Sequence, residues 1–375
     1  MPSKQRIAFV ANTSWSIYKF RLYLLQTLVA KGFDVYVLAP RDKYTALFEH
    51  IDGISFVELK KLNGKSISLL DDLQLYFELL RHYRRLRPHL AFHYTIKANI
   101  YGSLAAARIN CSAIAVITGL GYMFTRKSIL TLAASKLYSY ALKKTKEVWF
   151  LNRDDQNVFI DDKLIAAEKT FLLPGEGVDT AVFYPAPYTG GQTRVSFLLI
   201  GRLIEHKGIY EYAKAAKILL AKGLNAQFCL LGFFDDKSAV AISKEQLEQW
   251  QAEGSINYIG ETDNVVPVIA NSDCIVLPSY REGMPLSLLE GASMCKALVA
   301  SDVAGCREIV KDKINGFLSK EKDANDLAAK MEQYYNLTIA EKTEMGLAGR
   351  EIVQKNFTKE IITDIYLSKM HKLIG

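Results

Sequence analysis

The sequence has no low-complexity block, no long Gly/Ser linker and no run that reads as a membrane span. The uncharged stretch INCSAIAVITGLGYMFT (109–125) is only 17 residues long and carries Asn, Ser, Thr and two Gly. It reads as a buried strand running into a loop. The first residues, MPSKQRIAFV, lack the apolar core and cleavage site of a signal peptide. The five cysteines are scattered, forming neither a disulfide framework nor a CxxC metal pattern. These absences lead to the expectation of a cytoplasmic protein. A G-x-G-x-x-G turn is missing after the first strand of either half, which argues against ordinary NAD binding. Acid is missing too: between Glu78 and Glu147 there is no Asp or Glu, while 12 Lys/Arg occur there.

What is present is an ordinary globular composition, half of it hydrophobic, in a chain long enough for two domains. The net charge of +7 is uneven. Residues 1–189 hold 25 Lys/Arg against 16 Asp/Glu, and residues 190–375 hold 22 against 24. A basic first half suits an anionic partner: lipid headgroups, a pyrophosphate or nucleic acid. No RNA- or DNA-binding module accompanies it.

Apolar runs at 6–12, 34–40, 54–59, 90–95, 113–119 and 147–152 read as strands, with helices between most of them, including 20–32, 70–88 and 131–146. A second series follows at 195–202, 226–233, 256–260, 274–279, 297–302 and 316–319. Unalternating strands separated by helices predict an α/β fold of two Rossmann-like, doubly wound parallel sheets, facing an interdomain cleft. The Gly/Pro-rich stretch 172–193 is the expected boundary. The expected division is 1–185, 186–356 and a last helix, 357–375, packing back towards the first domain.

The stretch REGMPLSLLE (281–290) places one carboxylate before a helix start and another near its second turn. Pro285 suits the first turn, where a missing N–H costs nothing. In GRLIEHKG (201–208), Arg202 and Lys207 sit between a strand's carboxyl end and a helix. A diphosphate there would meet two cations and helix amides together.

These residues carry a resemblance. GRLIEHKG, PSYREGMPLSLLEGAS and SDVAGCREIVKDKINGF resemble the retaining family 4 glycosyltransferases of GT-B fold, with Glu282 and Glu290 as the E-x7-E pair. LLPGEGVDTAVFYP resembles the family's interdomain segment. YTIKANIYGSLAA (94–106) and ITGLGYMF (117–124) resemble a bacterial branch that extends undecaprenyl-diphosphate-linked glycans, N,N′-diacetylbacillosaminyl-diphospho-undecaprenol N-acetylgalactosaminyltransferases among them. The resemblance implies a UDP-sugar donor, with N-acetylgalactosamine the leading sugar and galactose, glucose or N-acetylglucosamine as alternatives. It implies that Arg202 and Lys207 hold the diphosphate and that Glu290 accepts from the ribose hydroxyls. Glu282 would face the sugar, as a positioning carboxylate rather than a nucleophile. Gly201, Gly283, Met284, Pro285, Leu286 and Ser287 would complete the donor site. With two cations at the diphosphate and no DxD pair on a donor loop, neither metal nor other cofactor is expected.

The first domain would hold the polyprenyl-diphosphate-linked acceptor. The candidates are Tyr18, Arg21, Lys97, Asn99, Gly119 and Gly121, with Tyr18 equally able to staple its helix and His93 read as structural. The family's usual His after the fifth strand and its Gly-rich first loop are both missing. Peripheral attachment to the anionic inner face of the cytoplasmic membrane is expected, through RHYRRLRPH (81–89) and the helix 131–146. Two other functions stay open: a UDP-sugar 2-epimerase, and a non-catalytic sugar-nucleotide sensor.

Overall fold

The structure, a computed structural model, describes residues 4–63, 68–120, 129–185, 194–234, 238 and 240–374. The chain forms two compact units, Met1–Glu176 with Lys359–Gly375, and Gly177–Thr358. The division at Glu176 falls earlier than the sequence boundary of 185. The reason is local: Val178 N–H donates to Phe357 O at 2.9 Å and Ser293 Oγ donates to Phe183 O at 2.7 Å, tying 177–183 to the second unit.

The first domain carries, among the described residues, seven strands: β1 Arg6–Val10, β2 Asp34–Ala39, β3 Ile54–Glu58, β4 Leu90–Tyr94, β5 Ser112–Ile117, β6 Glu147–Phe150 and β7 Thr170–Leu172. They run parallel in the order β3-β2-β1-β4-β5-β6-β7. The order reverses between β1 and β4, the doubly wound pattern. β7 went unseen in the sequence because three residues, TFL, carry no period. The first helix, Ser14–Ala30, begins six residues before the expected 20, because Thr13 caps it by accepting from Ser16 N–H.

Strands buried on both faces explain the unalternating runs: all five residues of β4 are buried, His93 included. The His93 ring lies between the hydroxyls of Tyr83, 2.7 Å from Nε2, and Ser103, 3.2 Å from Nδ1. Burial pushes its pKa down to about 3, so the ring is neutral and structural. Between pH 3 and 6.5 the unfolded chain takes a proton there that the folded chain refuses, so stability falls as the solution is acidified. From this group alone, stability at pH 5 should lie about 2 kcal/mol below that at pH 7. The opening free energy of β4 from hydrogen exchange at the two pH values, compared with His93→Gln, isolates the term; equal pH slopes in both proteins would refute it.

The second domain carries six described strands: β8 Val195–Ile200, β9 Ala226–Leu231, β10 Asn257–Tyr258, β11 Cys274–Leu277, β12 Ala297–Ser301 and β13 Gly316–Ser319. All pair in parallel, in the order β10-β9-β8-β11-β12-β13. The direction of winding reverses between β8 and β11. An open α/β sheet presents its ligand crevice at that point, outside the carboxyl ends. Both GRLIEHKG and PSYREGMP follow those two strands.

The last helix, Lys359–Ile374, completes the first domain. Tyr366 packs against Phe92 and Trp149, with ring centroids 5.1 and 4.9 Å away, and its hydroxyl lies 3.0 Å from that of Tyr94. Lys369 Nζ reaches the Glu147 carboxylate at 2.9 Å.

Candidate active site

The loops after β8 and β11 are fastened to each other at the backbone. After β8 the chain makes one 3-10 turn, Glu205–Lys207, and Gly208 then takes φ +70 to start the helix Ile209–Ala221. A Cβ on Gly208 would stand 2.0 Å from Pro278 O, so only glycine permits both the dihedral and the approach. Tyr280 N–H donates to His206 O at 3.0 Å, closing the seam.

That seam delivers Lys207 to Glu282. Lys207 Nζ forms an ion pair with Glu282 Oε1, and Ser279 Oγ donates to the same oxygen at 2.6 Å. Both charged side chains are largely buried, and Ser279 is wholly so. Ser279 was not singled out in the sequence, where it reads as the end of a strand; its signal was the three-residue spacing to Glu282 across a tight loop. Behind the carboxylate, Gly305 at φ +78 backs the chain, because a Cβ there would lie 2.6 Å from Gly283 O. The segment SDVAGC thus supports the Glu282 loop from below.

Pro285 stands one residue outside the helix, not in its first turn. Its ψ of 114 is extended, so helical dihedrals begin at Leu286 and run to Ser293. Pro285, the residue at the cap position, makes no side-chain hydrogen bond to this helix start. Met284 and Leu286 rest partly against the domain core, Ser287 is half-buried, and Glu290 occupies the second turn, also half-buried. Arg202 is exposed beside Gly201, whose missing Cβ would meet the Lys207 stem at 3.5 Å. The structure therefore brings Lys207 and Glu282 into contact and sets Arg202, Gly201 and the 283–290 segment on the same two loops and helix.

The first-domain candidates fare differently. Arg21 is a correction: it is 3 % exposed, paired with Glu176, and its guanidinium lies 3.6 Å from the Tyr94 ring centroid. It is a largely buried cation of the first domain. Asn99 is likewise buried, donating to Val116 O at 3.2 Å and to Tyr138 Oη at 2.9 Å. Tyr18 packs against Tyr44 and Phe48, centroids 5.6 and 5.7 Å away, which is the stapling alternative. Lys97 lies beyond the end of β4, tethered to Asp72 at 2.6 Å. Its neighbour Thr95 holds φ +73, rare for a β-branched residue, and leads into a π-turn, Ala98–Gly102. Gly119 takes φ +149, and no atom of the described residues lies within 4 Å of where its Cβ would stand; Gly121 lies outside the described residues.

One anion seat in the first domain is already filled. The helix Ser14–Ala30 opens where a doubly wound sheet offers amides to phosphate, but the Asp42 carboxylate sits there. It accepts from Ser14 Oγ, from Trp15 N–H at 2.9 Å and from Tyr44 N–H at 2.8 Å. This replaces the Gly-rich first loop that the sequence lacks.

Residues 189–351 match the family described as glycosyl transferases group 1, and residues 6–152 match the glycosyl transferase 4-like family. The chain is 27 % identical, over 98 % of its length and 99 % of the relative's, to the N,N′-diacetylbacillosaminyl-diphospho-undecaprenol alpha-1,3-N-acetylgalactosaminyltransferase of Campylobacter jejuni. It is 26 % identical, over 69 % of each chain, to the UDP-Gal:alpha-D-GlcNAc-diphosphoundecaprenol alpha-1,3-galactosyltransferase of Escherichia coli. Among solved structures, Anabaena HepE in complex with UDP and glucose superposes with a TM-score of 0.79 at 17 % identity, over 98 % of this chain and 99 % of that one. A Rickettsia africae glycosyltransferase reaches 0.81 at 17 % identity, over 100 % and 99 %. The two matched families between them take in both domains, and the chain belongs to the group 1 glycosyl transferases of GT-B fold.

Proposed function

We propose that the protein transfers a sugar from a UDP-sugar to a saccharide carried on undecaprenyl diphosphate, retaining the donor's α configuration. The observation that carries this reading is the Lys207–Glu282–Ser279 cluster at the switch point of the second sheet. A diphosphate placed there meets the Lys207 ammonium, the exposed Arg202 and the first-turn amides of the helix Leu286–Ser293. As the bond from the anomeric carbon to the phosphate oxygen breaks, negative charge grows on the departing UDP. Fixed cations act most strongly on that charge. The acceptor oxygen attacks from the same face, and its proton passes to the leaving phosphate oxygen. Glu282, held by Ser279, positions the sugar; Glu290 takes the ribose hydroxyls. Because chain cations meet the diphosphate, we read the reaction as metal-independent.

The donor sugar is read as N-acetylgalactosamine, by likeness to the Campylobacter relative, with galactose close behind by likeness to the Escherichia one. A lipid-linked acceptor places the enzyme peripherally at the inner face of the membrane; none of the described helices is long and apolar enough to cross it. UDP release from UDP-N-acetylgalactosamine, UDP-galactose, UDP-glucose and UDP-N-acetylglucosamine, with and without a synthetic lipid-diphosphate saccharide, tests the assignment. Acceptor-dependent release is expected with one donor; isomerisation without acceptor would mean an epimerase, and binding alone a sensor. Glu282→Gln should lower turnover at least about a hundredfold. Near-full turnover with unchanged donor affinity in that variant would remove Glu282 from the site.

A further inference from the structure

The helix Leu69–Leu86 is amphipathic in a way its own domain does not use. Its buried side, Leu75, Leu79, Leu80 and Tyr83, belongs to the first-domain core. Its outer side is apolar as well: Leu69, Leu70, Leu73 and Phe77 are 83, 72, 52 and 57 % exposed. At about 100° per residue, Leu70, Leu73 and Phe77 fall within one arc of about 120°, and Arg81, Arg84 and Arg85 continue that arc to the helix end. All three arginines are exposed.

The helix's three carboxylates lie off this arc, and two of them are engaged elsewhere. Asp72 holds Lys97, Asp71 N–H takes the Ser68 cap in the first turn, and the Glu78 carboxylate accepts from the amides of Lys60 and Lys61 at 2.9 Å. The outward arc therefore runs from two turns of large apolar side chains into little more than one turn bearing three arginines, with no acid on it. A soluble face carries scattered apolar residues singly, whereas here they form a stripe.

We infer that this face docks the protein on a bilayer with anionic headgroups. Leu70, Leu73 and Phe77 enter the headgroup–acyl boundary while Arg81, Arg84 and Arg85 meet the phosphates. The charge of the stripe selects this occupant, since an apolar partner protein would leave three arginines facing it unmatched. The inference deepens the proposed transfer to a lipid-linked saccharide and rests on that reading for its purpose. It also relocates the attachment: the apolar half of the helix, not only RHYRRLRPH, makes the contact.

The test is flotation of the full-length chain with phosphatidylcholine vesicles, with and without phosphatidylglycerol. Binding is expected with phosphatidylglycerol, and Leu70→Gln/Leu73→Gln/Phe77→Gln should weaken it at least about tenfold. Arg81→Gln/Arg84→Gln/Arg85→Gln should abolish its salt dependence. Phe77→Trp should shift its emission to the blue and resist iodide quenching on vesicles alone. All six positions are exposed, so the variants keep the fold. Unchanged binding of the apolar triple variant overturns the inference, as does a dimer of the parent chain that this variant splits. Vesicle binding without sugar transfer would support the docking face and count against the transferase reading, so the two fail separately.

Discussion

Lys207→Ala is expected to lower kcat/KM for sugar transfer by about a hundred- to a thousandfold, the usual loss when one fixed group stabilising transition-state charge is removed. Lys207 has two partners to serve. Without ligand it neutralises Glu282, which is largely buried and shares one oxygen with Ser279. With donor bound, the proposed mechanism turns the ammonium towards the diphosphate. Alanine removes both services and leaves Glu282, still held by Ser279, facing an incoming diphosphate without the ammonium. Donor KM should therefore rise together with the fall in kcat. Arginine at 207 restores charge but not the compact ammonium, so partial rescue of KM with little of kcat is expected. Steady-state UDP release for the three proteins checks this; a Lys207→Ala enzyme within threefold of the parent would remove Lys207 from the reaction.

The second large effect lies in stability. Arg21→Ala should destabilise the first domain by about 3–5 kcal/mol, because it strands a buried carboxylate. Burial pushes the Glu176 carboxyl upward and Arg21 opposes it. With Arg21 gone, burial acts alone and the pKa rises further. The sign follows: a folded carboxyl with a raised pKa holds a proton that the unfolded chain has released, so its contribution is intact at low pH and is lost as pH rises through the folded value. Arg21→Ala should therefore lose more stability at pH 7 than at pH 5. Arg21→Met with Glu176→Gln should recover much of it, since the buried charge is then absent from both sides. Hydrogen exchange in β1 and β4 reads the first domain directly in a two-domain chain, where a single unfolding midpoint would not. Equal protection in the parent and Arg21→Ala would refute the clamp.

The doubly wound sheets were legible because their strands are buried on both faces and so appear as unbroken apolar runs. The candidate donor-site residues stand out in the sequence because they are local: a carboxylate, a turn and a helix start lie within ten residues, and two cations lie within another eight. Pairing of Lys207 with Glu282 could not be read, since it depends on Gly208 meeting Pro278 across two strands. Arg21 misled for a physical reason. An arginine following Tyr18 and Phe20 at a helix start looks like a ligand-facing cation, yet its partner Glu176 is 155 residues away. The burial of Asn99 was likewise hidden, because its partners Val116 and Tyr138 are 17 and 39 residues away. The exposed stripe at Leu70, Leu73 and Phe77 was hidden by the buried one beside it: an apolar helix sequence does not say which of its two stripes faces inward.

The return of Lys359–Ile374 to the first domain also sets an order of manufacture. The second domain is complete in sequence by Thr358, so it can close its core while the last helix is still within the ribosome. The first domain, begun earlier, finishes later. Until Tyr366 arrives, Phe92, Tyr94 and Trp149 lack the ring that covers them, and Glu147 lacks Lys369. The half that begins first therefore stays unfinished longer, and a nascent chain stalled before Lys359 would leave Phe92, Tyr94 and Trp149 without their Tyr366 partner.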